Sequence, residues 1–140
     1  MKIECATSTN NPAFRIYRVA EAPAGFSFVR DTDSQEQLII FDGDEANAKT
    51  LHHETELSLQ KLGDAGRRLA RNLFHLRLRG IYIAIDQIQL LTYEGPGWND
   101  ALHRGVADAL REALPEGFDI VEINWRAMMS PPDSTRAATT

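Results

Sequence analysis

The sequence predicts an α+β protein, a two-layer sandwich with two main helices packed on one face of a largely antiparallel sheet. Three observations lead there. Short segments alternate apolar and polar residues at the two-residue period of strands, as in Ile81, Ile83 and Ile85 and then Ile88, Leu90 and Thr92. Two longer segments, near 64–76 and 98–114, repeat their apolar residues at the helical period. A chain of 140 residues with 43% hydrophobic content supplies one core and no second. Helices on a single sheet face are the simplest way to bury both apolar stripes.

The elements follow in order. The first twelve residues are small and polar and end in Thr9-Asn10-Asn11-Pro12, where the proline holds Asn11 extended; with Cys5, they read as a mobile terminus. From Ala13 to Val19 a strand places Phe14 and Ile16 on one face and Arg15, Tyr17 and Val19 on the other. Beyond the turn formers Ala22-Pro23-Ala24-Gly25, Phe26 and Phe28 alternate with Ser27 and Val29, which predicts a hairpin partner. Leu38-Ile39-Ile40-Phe41 reads as a short buried strand stopped by Asp42-Gly43-Asp44.

Residues 44–63 fit neither period and read as an irregular insertion with some helix, inside a single domain spanning 1–126. Asp64 is placed to cap a helix running to about Leu76. On that helix Leu69, Ala70, Leu73 and Leu76 share one arc, and Arg67, Arg68, Arg71 and His75 share the opposite one. The strands at 81–85 and 88–92 meet near Asp86-Gln87. After Glu94-Gly95-Pro96-Gly97 the second helix starts near Trp98 or Asn99 and stops before Pro115, with Trp98, Leu102, Val106, Ala109, Leu110 and Ala113 as its apolar face. A last strand, Phe118 to Trp125, points Val121, Ile123 and Trp125 to one side; the tail 127–140 reads as disordered.

Composition narrows the function. Twenty acids against 15 bases give a net charge of −5, which disfavours general nucleic-acid binding. The single cysteine, Cys5, excludes an intrachain disulfide and a thiolate-ligated zinc or iron–sulfur centre built by this chain alone. No run approaches the roughly 20 apolar residues of a membrane span, and Glu4 sits where a secretory presequence would avoid it. A cytoplasmic, reducing location is expected, with no membrane partner.

No catalytic constellation is visible. Ser8, Ser27 and Ser58 lack a Gly-x-Ser-x-Gly context, and Gly95-Pro96-Gly97 is not a phosphate loop. The chain is therefore expected not to be an enzyme. His52, His53 and Glu54 are the candidate metal ligands of an alternative reading, a metal- or small-ligand-binding protein. Neighbouring side chains point different ways, however, and the cluster lacks the helical spacing that aims two ligands at one ion.

The distribution of charge is more informative. Residues 61–79 carry six bases against Asp64 alone, a net +5 between two segments of −5 each. Five of the six are arginine, suited to bidentate contacts with carboxylates. Arg67, Arg68, Arg71 and His75 are thus the candidate partner-binding residues, and the partner they fit is an acidic protein.

Several motifs also occur in a telling order. Thr9-Asn10-Asn11-Pro12 precedes a strand, Leu69-Ala70-Arg71-Asn72-Leu73-Phe74 lies on the first helix, Gly80-Ile81 enters the next strand, Asp86-Gln87-Ile88 opens its hairpin partner, and Trp98 opens the last helix. In that order the chain resembles the N-terminal domain of Nfu/NifU-type iron–sulfur cluster scaffold proteins. It departs from the family in Arg67-Arg68, which replace a Ser-Pro, in two extra residues before Gly80, in the 44–63 insertion and in the final strand. The family's cluster-binding Cys-x-x-Cys domain has no counterpart in this sequence. The resemblance implies an accessory interaction module of cluster assembly, with no cofactor bound by this chain alone and an iron–sulfur cluster reached only through a partner.

Overall fold

The computed structural model describes residues 1–7, 11–31, 37–42, 57–93, 98–114 and 116–124. Its elements are β1 (Lys2–Thr7), β2 (Phe14–Val19), β3 (Leu38–Asp42), α1 (Asp64–Leu73), β4 (Leu78–Ile83), β5 (Gln87–Thr92), α2 (Asp100–Ala113) and β6 (Asp119–Asn124). A single helical turn at 57–60 precedes α1. The six strands form one sheet in the order β3-β4-β5-β2-β1-β6, antiparallel at every step except the parallel β1–β6 pair. The predicted α+β sandwich is the architecture found.

Alternation explains which strand residues face the helices. Ile3 and Cys5 of β1, Tyr17 and Val19 of β2, Ile81 and Ile83 of β4, and Ile88 and Leu90 of β5 join Leu69, Ala70 and Leu73 of α1 and Val106, Ala109 and Leu110 of α2 in one core. The opposite sheet face carries a small second cluster, Ala6 and Ile16 with Phe14 and Ile123 beside them. The helices lean on each other as well as on the sheet: Leu76 fills the space above Gly105 of α2, where an added Cβ would lie 2.7 Å from its Cδ2.

Five expectations need correction. The N-terminus is no mobile arm but an inner strand, because β6 returns to pair with it and buries Cys5 to 1% exposure. The small, polar look of residues 1–7 hid the inward pair Ile3 and Cys5. Phe26 to Val29 form no strand of the sheet: Phe28 donates its N–H to Ile85 and Val29 makes an isolated bridge to Leu62, so this segment runs under α1 with the Phe28 carbonyl against Gly66 and its ring buried in the core. Asp64 does not cap α1. Gly63 occupies the N-cap in extended geometry, with no side-chain cap bond, and Asp64 is the first helical residue. α1 stops at Leu73, so Leu76 packs from outside it. Finally, β4 begins at Leu78 and ends at Ile83, leaving Ile85 in the turn region. The insertion up to residue 56, Trp125 and the tail lie outside the described residues.

Gly66 shows how close α1 comes to the segment beneath it. A Cβ built there would lie 2.1 Å from the carbonyl oxygen of Phe28, a backbone atom with no rotamer to yield. Gly66→Ala should therefore destabilise the protein by about 3 kcal/mol despite alanine's better helix propensity, measured by urea unfolding. A neutral or stabilising effect would contradict this packing.

Candidate functional site

Two surfaces hold chemistry-bearing side chains. The first is the outer face of α1. Leu69, Ala70 and Leu73 are all 0% exposed, and helical geometry then turns Arg67, Arg68 and Arg71 into solvent. His75, just past the helix end, is exposed as well. None of the four forms an ion pair or side-chain hydrogen bond within the described residues.

Phe74 follows Arg67 and Arg71 on the same side of the helix, at i+7 and i+3, and is 39% exposed. It leads into an open hollow of about 270 Å³ lined by Phe41, Phe74, Leu76, Leu78 and Tyr93 and rimmed by Arg77. Phe41 and Phe74 meet edge to face at 6.2 Å between centroids, and the Arg77 guanidinium lies 5.9 Å from the Tyr93 ring centre. An arginine-lined helix face thus runs into an aromatic hollow that can accept an apolar side chain.

The second is a half-buried polar cluster between β2 and the start of α2. Arg15 and Tyr17 point to the helix-covered side of β2, opposite Phe14 and Ile16, as the alternation requires. Asn99 caps α2 by accepting from the Leu102 N–H at 2.8 Å, which fixes the first turn and brings His103 over Tyr17. The His103 and Tyr17 rings stack with centroids 6.0 Å apart. Trp98 is fixed from the other side: its indole N–H donates at 3.0 Å to the Ala13 carbonyl, which also accepts the Thr92 N–H at 2.9 Å. Its ring lies 4.6 Å from the Arg15 guanidinium carbon.

The hydrogen bonds define the protonation state. His103 Nδ1 lies 3.2 Å from Arg15 Nη1 and 2.9 Å from the Tyr17 hydroxyl. A guanidinium can only donate, so Nδ1 accepts and the ring is the neutral Nε2–H tautomer, with the Tyr17 hydroxyl donating to it. Burial, followed by the Arg15 charge, holds the His103 pKa below its usual value, while Glu122 and Asp100 pull the other way. Burial also pushes the Tyr17 hydroxyl and the Cys5 thiol up. Cys5 is therefore a neutral, solvent-shielded thiol at neutral pH, poorly suited to act as nucleophile. Arg15 Nε is buried with no acceptor among the described residues, a shortfall worth about 1–3 kcal/mol.

The structure exposes Arg67, Arg68 and Arg71 on one face of α1, as their spacing predicted, and leaves His75 exposed beyond the helix end, where the helical spacing no longer places it. His52, His53 and Glu54 lie outside the described residues, and among those described no three His, Cys, Asp or Glu side chains gather as a metal site. The cluster at Arg15, Tyr17, Trp98 and His103 was missed, because a helical histidine reads as exposed until the partner strand is known. One signal was present: an arginine between Phe14 and Ile16 falls on the same strand face as Tyr17 and Val19, a face otherwise suited to the core. Fold and surfaces together define a two-layer α+β domain with a basic helix face. Compared with known proteins, the chain matches no family model, no curated protein and no solved structure.

The lowered His103 pKa carries a sign. The unfolded chain binds the proton more readily than the fold does, so this contribution is present above the usual histidine value of 6.5 and is lost as pH falls below it. Unfolding free energies at about pH 7.5 and about pH 5 should show a larger acid loss in the wild type than in His103→Gln. Equal losses in the two proteins would refute the neutral, accepting role of Nδ1.

Proposed function

We propose that this protein is a non-enzymatic protein-interaction module, accessory to iron–sulfur cluster assembly, that docks an acidic partner on the outer face of α1. The observation that carries the reading is the trio Arg67, Arg68 and Arg71, exposed and unpaired among the described residues and continuous with the Phe74 hollow. The ordered motifs shared with the Nfu/NifU N-terminal domain supply the biological setting. Any iron–sulfur cluster belongs to the partner, since the one cysteine of this chain is in the core. A free thiol suits a reducing, cytoplasmic compartment. No described helix is long and apolar enough to cross a membrane.

The division of labour follows from magnitudes. Exposed arginine–carboxylate pairs contribute only about 0.2–1 kcal/mol each, so the arginines act mainly on encounter rate and orientation. Burying one large apolar side chain in the hollow contributes about 1.5–3 kcal/mol. The partner surface that fits is a segment with several carboxylates beside one exposed aromatic or aliphatic residue.

Affinity capture with the full chain, followed by mass-spectrometric identification, tests the reading. Wild type should recover components of the iron–sulfur assembly machinery in a salt-sensitive manner. Arg67→Glu/Arg68→Glu/Arg71→Glu should lose them while its unfolding free energy changes by less than about 1 kcal/mol. Recovery that survives charge reversal would remove the docking assignment, and recovery without any such component would remove the setting.

A further inference from the structure

We propose that Arg15, held between Trp98 and His103, is the anchor of a binding site for a small oxyanion, a carboxylate or phosphate group, distinct from the α1 surface. The case rests on which parts of the guanidinium are occupied. Nη1 donates to His103 Nδ1 at 3.2 Å, and the guanidinium plane stands 4.6 Å from the Trp98 ring centre, so the group is oriented by two aromatic neighbours. Its other edge, formed by Nε–H and Nη2–H, makes no hydrogen bond within the described residues, and Nε is shielded from solvent. That edge is the side-on fork that matches two oxygens of a carboxylate or phosphate.

Charge points the same way. No carboxylate of the described residues forms an ion pair with Arg15, whereas Arg18, three residues on and on the opposite sheet face, is held by Glu4 at 2.7 Å. Arg15 also faces a neutral imidazole rather than a second cation, with the Tyr17 hydroxyl beside it. Glu122 and Asp100 are the acids whose charge reaches His103, and neither is paired with the guanidinium. A half-buried, preoriented cation without a counter-ion among the described residues has the chemistry of an oxyanion receptor.

Titrating the full chain with inorganic phosphate and, separately, with sodium acetate against chloride at constant ionic strength tests the site. The ¹H–¹⁵N signal of Arg15 Nε is the readout, and the tighter of the two anions identifies the ligand group. Saturable shifts of that signal are expected. Arg15→Lys, which keeps the charge and loses the fork, should weaken binding about tenfold or more, and Arg18→Gln should leave the affinity unchanged. The proposal is overturned if neither anion moves the signal or if Arg15→Lys binds as tightly as wild type.

Discussion

α1 and α2 press on each other and on the same face of one sheet, and Leu69, Leu73, Val106 and Leu110 from the two helices enter a single core with Ile81, Ile83, Ile88 and Leu90. Each such side chain contributes about 1.5–3 kcal/mol on burial, far more than any surface ion pair in this molecule. The orientation of both helices is therefore decided by their apolar stripes. With Leu69, Ala70 and Leu73 turned inward, Arg67, Arg68 and Arg71 are exposed and meet no ion-pair partner among the described residues. The basic surface is thus a consequence of core packing.

The same one-sided arrangement accounts for the polar cluster. The helix-covered side of β2 must carry Arg15 and Tyr17 because Phe14 and Ile16 occupy the other side. Tyr17 is fully covered there, while Arg15 and His103 of the first turn of α2 stay half-buried beside it. Stacking by Trp98 and acceptance by His103 hold the cation there, and each bond to it is geometrically specific. Arginine stands in two different settings: exposed on α1, and at Arg15 oriented between Trp98 and His103.

Much of the fold was legible because the apolar periods are clean. The strands around Ile81 and Ile88, the helix with Leu69 and Leu73, and the helix that opens near Trp98 or Asn99 and stops before Pro115 follow from local pattern alone. What escaped depends on partners distant in sequence. Residues 1–7 look like a polar arm until β6, more than a hundred residues later, is placed beside them. Phe26 and Phe28 alternate like a strand yet belong to a packing segment, in which Phe28 donates its N–H to Ile85 and Val29 bridges to Leu62. The Arg67, Arg68 and Arg71 surface was readable because a helix face is a local property. The association of Arg15 with His103 was not, because nothing local says that residues 88 positions apart will meet.

The α1 docking surface is tested most directly by arginine-selective dicarbonyl labelling of the full chain, alone and bound to its captured partner, with each modified site read by mass spectrometry. Arg67, Arg68 and Arg71 should label readily in the free protein and be shielded in the complex, while Arg111, exposed on α2, should label equally in both states. Equal labelling of the three α1 arginines in free and bound protein, with protection appearing elsewhere, would contradict the assignment.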